Sequence, residues 1–349
     1  MQAITEKRQA LINELFPTGI PKLWCPLLTH YRADGSIDFE RMAAHFRHLV
    51  PWVKGFLIPG STGDGWELND DETLQVAEFA LMQARQHGIN ILLGVLQPDT
   101  ITMQRTMADM MRIMQKSPAG KQDSSQVLRA NHVCGFTVCP PRGSARTQEE
   151  MEAALSLILD QGMPIALYQL PQVTENEVAP ETFARLARKY PHLIFFKDSS
   201  GQDRIAASEV DKAGVFLVRG AEGDYAKWLK SAGGPYEGFL LSAANCFPRE
   251  LLALIESLAG NDQKTAQTIS DKLTQAVREV FALVQSLPRG NAFTNANKTM
   301  DHFFAWGPSA AAKEGPMLHA KVRIPADIIA ATGVILACHD LMPEKGYLE

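Results

Sequence analysis

An eightfold α/β barrel is the fold this sequence predicts, and three observations predict it. Short β-rich apolar runs alternate with amphipathic helical stretches along most of the chain. The runs are apolar nearly throughout, as in Gly55-Phe56-Leu57-Ile58-Pro59 and His192-Leu193-Ile194-Phe195-Phe196, which is the pattern of parallel strands buried on both faces. Eight such runs are present, the number that right-handed βα units close into a barrel. An open doubly wound sheet is the alternative.

In chain order, the expected strands are Lys22 to Leu28, Gly55 to Ile58, Ile89 to Val95, Gly135 to Cys139, Pro164 to Leu170, Leu193 to Lys197, Val215 to Arg219 and Glu237 to Leu241. Amphipathic segments lie between them, among them Asp70 to Gln86, Thr100 to Gln115, Gln148 to Gln161 and Pro180 to Lys189, with Asp or Thr near several starts as caps. The expected organisation is an N-terminal helical extension over 1–18, a barrel over 19–260 and a C-terminal helical region over 261–349. Within the barrel, the polar stretch from Ser117 to His132 reads as a surface insertion before the fourth strand. Beyond Leu251, helical patterns run to about Ser286, around Lys298 to Trp306 and from Pro325 to His339, and these could cover the barrel or build an oligomer contact.

Composition narrows the class of function. With 349 residues, 46% apolar and 21% charged, the chain can bury a sizeable core without staples. The 34 Lys and Arg against 39 Asp and Glu leave a net charge of -5, which argues against a nucleic-acid partner. There is no apolar run long enough for a membrane span and no signal-peptide core at the N-terminus, so a cytoplasmic protein is expected. The 5 cysteines, at 25, 134, 139, 246 and 338, form no CxxC pair and read as free buried thiols. If Cys134 to Cys139 is a strand, their odd separation points them to opposite faces. The 9 histidines include no HxH or HExxH, although His45 and His48 share a helical face; no metal site is expected, and metal-dependent aldolase chemistry would need a His and carboxylate cluster that the sequence does not display.

Three places could carry chemistry. Lys197 ends the sixth strand, where alternation puts Leu193, Phe195 and Lys197 on one face and sends the amine into the barrel mouth. An amine among apolar groups loses solvation and becomes neutral and nucleophilic at lower pH, although a strand-terminal Lys is also commonly a snorkelling or ion-paired group. Tyr168 ends the fifth strand 29 residues earlier, about one βαβ unit away, so that phenol and amine would stand on adjacent strands. The phenol could shuttle protons to a carbinolamine or be a half-buried structural group. The second strand runs into Pro59-Gly60-Ser61-Thr62-Gly63-Asp64-Gly65-Trp66-Glu67, where exposed amides and adjacent hydroxyls could hold a carboxylate or simply form a turn.

Taken together, from Gly19 to Gly260, these sites resemble the dihydrodipicolinate synthase and N-acetylneuraminate lyase family of pyruvate-dependent class I lyases. The match is carried by G[ST]TG[ED] at Gly60 to Asp64, Tyr-x-x-Pro at Tyr168 to Pro171, and Lys-Asp-Ser-Ser-Gly at Lys197 to Gly201, in that order. The resemblance implies an eightfold barrel assembled as a tetramer or dimer, with Lys197 forming a Schiff base to a 2-oxo acid. No cofactor is implied, since the protonated Schiff base is itself the electron sink. It also implies that Ser61 and Thr62 bind the substrate carboxylate, that Tyr168 transfers protons with help from the Ser61 hydroxyl, and that Leu240 touches the keto acid.

Two departures bear on the substrate. Many members carry Thr-Pro-Tyr-Tyr after the fourth strand, whose second Tyr extends the proton relay from a neighbouring subunit; here the turn reads Cys139-Pro140-Pro141-Arg142. Where dihydrodipicolinate synthases place an Arg for the aldehyde's carboxylate, this chain has Gln172-Val173-Thr174. Arg142 could instead grip a second carboxylate or be solvated, and Ser199, Glu222 and Ser242 could read a polyhydroxylated acid, with Ser199 alternatively capping the following helix. The expected function is a Schiff-base lyase, aldolase or dehydratase, acting on pyruvate or a 2-oxo acid and an aldehyde. The alternatives are true dihydrodipicolinate synthase and a keto-acid-binding or regulatory barrel without turnover.

Overall fold

The computed structural model describes residues 2–115 and 123–349. Eight parallel strands close into a barrel in sequence order: β1 Leu23–Pro26, β2 Gly55–Ile58, β3 Asn90–Val95, β4 Val133–Val138, β5 Ile165–Gln169, β6 Leu193–Asp198, β7 Phe216–Arg219 and β8 Gly238–Leu240, with β8 pairing back onto β1. The helices are α1 Gln2–Leu15, α2 Phe39–Leu49, α3 Asp70–His87, α4 Thr100–Gln115, α5 Ser124–Ala130, α6 Gln148–Leu159, α7 Pro171–Thr174, α8 Pro180–Lys189, α9 Arg204–Ala207, α10 Pro248–Ala259, α11 Gln263–Val284, α12 Ala292–Trp306 and α13 Ala326–Cys338. Local chemistry sets several starts. Asn69 with Glu72, Asp123 with Gln126 and Thr147 with Glu150 form reciprocal caps on α3, α5 and α6.

Every strand is buried along most of its length, as parallel strands between a filled interior and a helical coat must be. Inside, Trp24, Leu57, Leu92, Cys134, Ala166, Phe195, Val218 and Leu240 form one cluster with a contribution from each strand. The N-terminal helix closes the bottom of this cluster with Ile12, Leu15 and Phe16. Its buried Arg8 donates to the carbonyls of Leu193 and Tyr190, at 2.7 and 2.8 Å, and to those of Ala187 and Ala213. Saturating the guanidinium with main-chain acceptors makes its burial tolerable.

Two bulges correct the simple alternation. Between β3 and β4, Ile91 pairs with Val133 but Leu92 with Gly135, so Cys134 is an extra residue and the period slips by one. Cys134 and Cys139 therefore both face inward, Cys134 in the lower cluster and Cys139 beside Tyr168, and not to opposite faces. Between β5 and β6, Ile165 pairs with Leu193 but Ala166 with Phe195. Leu193 consequently packs outward against the helices, while Phe195 and Lys197 keep their inward direction.

Of the insertion expected over 117–132, residues 117–122 lie outside the described residues. Most of the remainder is helical: it forms α5, which buries Val127 and Leu128. The C-terminal helices pack onto the barrel, with α12 against the Ser61–Gly63 and Ser242–Asn245 turns. Among the described residues, no helix is long and apolar enough to cross a membrane.

Candidate active site

The register of β5 and β6 sets Tyr168 directly beside Lys197. Both side chains are buried, and the Lys197 ammonium nitrogen lies 3.9 Å from the centre of the Tyr168 ring. Burial pulls the Lys197 amine down to about 7, against smaller raising effects from Cys139, Glu222 and Cys25. Both thiols are pushed up by their own burial, so neither supplies a counter-charge near neutral pH. Lys298 is also buried, but it pairs with Asp64 at 3.0 Å, whereas Lys197 enters no ion pair among the described residues. Of these two lysines, Lys197 has the environment of a nucleophile.

Gly220 makes room for that side chain. A Cβ there would come within 2.7 Å of Lys197 Cε and 2.2 Å of Ser199 Oγ. Gly220→Ala is therefore expected to displace the amine and lower turnover by at least about 10-fold, since small misplacements of reacting groups carry such costs. Steady-state kinetics with a circular dichroism check of folding would measure this.

The turn after β2 is a single 3-10 turn, Ser61–Gly63, fully buried. Gly63 is required because a Cβ would approach the Leu27 carbonyl oxygen to 2.3 Å. The N–H groups of Ser61 and Thr62 donate to no acceptor among the described residues, and such paired free amides suit a carboxylate. Their direction is set from α12. Asn291 Nδ2 and Thr294 Oγ1 donate to the Ser61 carbonyl at 3.2 and 3.3 Å, and Thr294 also donates to Thr62 O at 3.0 Å. In a trans peptide, holding the Ser61 C=O toward α12 turns the Thr62 N–H the opposite way. Thr294→Val should raise the KM for the keto acid several-fold with a smaller change in kcat, by loosening this plane; equal loss in both would point elsewhere.

Ser61 Oγ accepts from Trp66 Nε1 at 3.0 Å and donates to Tyr168 Oη at 3.4 Å. Burial raises the Tyr168 phenol, opposed by the hydroxyls of Ser61 and, more weakly, Ser199. Ser199 does not cap the next helix, whose N-cap is Asp203. Leu240 lies inside the barrel. Glu222 and Ser242 come together: Glu222 Oε1 accepts from Ser242 Oγ at 2.6 Å and from the Ala243 amide at 3.0 Å, while Oε2 accepts from the Tyr225 hydroxyl at 2.8 Å. Arg142, read as a group for a second carboxylate or as a solvated one, has a protein partner. It is exposed and binds Glu175 at 2.8 Å, because an unpaired surface charge takes a local partner.

Folding also assembles a cluster the sequence did not display. His30, His45 and Asp301 offer ligand atoms within 4.8 Å of one another. Arg41 at 3.1 Å and the Tyr347 hydroxyl at 3.0 and 3.2 Å already engage Asp301, and burial holds His30 well below the usual imidazole range, so the group is knit as a hydrogen-bonded network. The sequence reading also passed over Trp66, Gly220, Asn291 and Thr294. Trp66 lies inside the stretch singled out for its hydroxyls; the last two are more than 200 residues from their targets and carry no local signal.

Residues 120–290 match the model of the dihydrodipicolinate synthetase family. The 4-hydroxy-tetrahydrodipicolinate synthases of Rhizobium meliloti and Streptococcus pneumoniae are 26% and 25% identical over 271 and 275 residues, covering 76% of this chain and 83% and 80% of theirs. Over residues 120–290 the chain is similar to the dihydrodipicolinate synthetase family. Solved structures of that family share the fold. YagE, a prophage protein of E. coli K12 in complex with pyruvate, superposes with a TM-score of 0.70 at 18% identity, covering 91% of this chain and 98% of that one. Dihydrodipicolinate synthase from Aquifex aeolicus gives 0.68 at 19% identity, covering 93% and 100%.

Proposed function

We propose that the chain is a class I lyase that forms a Schiff base between Lys197 and a 2-oxo acid such as pyruvate, and makes or breaks a carbon-carbon bond, or removes water, next to it. The observation that carries this reading is a buried amine without an ion-pair partner among the described residues, held against a buried phenol on the adjacent strand. The neutral amine attacks the keto carbon, and Tyr168 gives a proton to the carbinolamine hydroxyl, which leaves as water. The resulting iminium accepts the electron pair released when a proton or a carbon electrophile leaves the adjacent carbon, and the enamine so formed can return that pair to expel a protonated hydroxyl further along the chain as water. Hydrolysis returns the amine. The Ser61 and Thr62 amides hold the carboxylate throughout, and Leu240 packs against the keto acid.

Attack needs the unprotonated amine. With Lys197 lowered to about 7, the rate of adduct formation at subsaturating pyruvate should rise with pH through about 7 and level off above it. An ordinary lysine would keep rising toward pH 10. The function itself is tested by incubating with pyruvate and borohydride, weighing the intact chain, and assaying a panel of 2-oxo acids. Trapping with turnover supports the lyase, trapping without turnover supports a keto-acid-binding barrel, and no trapping contradicts both.

Residues around the mouth support a polyhydroxylated 2-oxo acid over the narrower reaction in the relatives' name. Glu222, Ser242 and Ser199 supply hydroxyl-reading groups, whereas the stretch where dihydrodipicolinate synthases place an aldehyde-gripping Arg reads Gln172-Val173-Thr174, and its Gln172 amide donates to Ser199 O at 3.2 Å. The family resemblance further supports a cytoplasmic homo-oligomer, a dimer or tetramer.

A further inference from the structure

We propose that Trp66 is a positioning residue for the acid-base step: its indole N–H, held on Ser61 Oγ, turns the Ser61 hydroxyl onto Tyr168 and closes the proton path at that end. This rests on the Schiff-base reading and goes beyond it.

An indole N–H donates and cannot accept, while a serine hydroxyl has one proton and two lone pairs. Trp66 fills one lone pair at 3.0 Å. Among the described residues, the Ser61 proton has a single acceptor in reach, Tyr168 Oη at 3.4 Å. A buried hydroxyl left without an acceptor is costly, so the satisfied arrangement has Ser61 donating to the phenol oxygen. The phenol's own proton is then free to point at the substrate. When Tyr168 gives that proton to the carbinolamine oxygen, the phenolate keeps the Ser61 hydrogen bond; when the phenolate takes a proton from the substrate carbon, the phenol is restored. A second hydroxyl in place of the indole could accept as well as donate and pass the proton on, which Trp66 cannot do.

The indole is built into this position. Gly65 lets it turn in, since a Cβ there would meet Gly60 O and Leu96 Cδ1 at 2.9 Å. Trp66 packs with Leu96, Leu170, Val173 and Phe293 around Tyr168. The turn at Cys139-Pro140-Pro141-Arg142 brings no hydroxyl to the same end, and its Arg142 is paired with Glu175.

The test needs no knowledge of the second substrate. Exchange of the pyruvate methyl hydrogens in D2O, followed by proton NMR, reports the proton transfers on the bound Schiff base. Wild type, Trp66→Phe, Ser61→Ala and the double variant are compared, with borohydride trapping of pyruvate as the check on binding and folding. Trp66→Phe is expected to slow exchange about 10-fold, the size of a lost hydrogen bond to a developing charge, while trapping still saturates at one adduct per chain. In the Ser61→Ala background, the same change should have no further effect. Additive effects of the two substitutions, or loss of trapping in Trp66→Phe alone, would assign Trp66 to packing and overturn the inference. Absence of trapping in wild type would instead overturn the Schiff-base reading on which it stands.

Discussion

Lys197→Met is expected to abolish turnover, with kcat/KM falling by on the order of 10⁵ to 10⁶, the loss that follows removal of a covalent nucleophile. The fold should survive and become more stable. The Lys197 stem is buried, and methionine conserves most of its volume, so packing changes little. What disappears is a charge with no ion-pair partner among the described residues. Because burial depresses this lysine from 10.5 to about 7, the unfolded chain binds more protons than the folded one between those values, and the wild-type protein gains stability as pH rises across that window. The methionine variant should lack this contribution. Its melting temperature at pH 7 should exceed that of wild type, with the gap narrowing toward pH 10. Kinetics and thermal melts at three pH values measure both halves. A dead variant that is also much less stable would mean that the lysine is a structural group.

Tyr168→Phe separates acid-base chemistry from adduct formation. Removing the phenol oxygen leaves the ring on which the Lys197 amine rests, 3.9 Å from its centre, so the amine should stay in place. It strips the proposed proton donor and acceptor and leaves Ser61 Oγ without its acceptor. Turnover should fall by roughly 10² to 10⁴, the usual range for a lost general acid-base group. Borohydride should still trap pyruvate to completion, more slowly, because water can protonate the carbinolamine. A variant that turns over at the wild-type rate would remove Tyr168 from the chemistry, and one that never forms the adduct would make it a positioning group for the amine.

Much of the barrel was legible because parallel strands buried on both faces leave continuous apolar runs, and each run recognised in the chain became a strand with ends shifted by a residue or two. What was not legible were the bulges. An extra residue at Cys134 or Ile194 leaves no compositional mark, yet it reverses the direction of everything before it, as Leu193 shows. Lys197 and Tyr168 were readable as strand-end groups whose spacing matches one βαβ unit. Ser61 and Thr62 were readable as hydroxyls on a glycine turn. The residues that orient them were not, because Asn291 and Thr294 come from a helix far along the chain, and the use of Trp66 as a donor depends on where Gly65 lets the indole turn. The pairing of Arg142 with Glu175 was not readable, because Glu175 is distant in sequence and meets it in space.

The lyase reading requires one particular nitrogen to become bonded to the substrate. Lys298 is the natural competitor, equally buried and also lowered by burial, but held by Asp64. Peptide mapping of the wild-type protein after reduction with pyruvate and borohydride distinguishes them. A single carboxyethyl group on Lys197 is the predicted result; an unmodified Lys197 with the label on Lys298, or on surface lysines alone, would contradict the account.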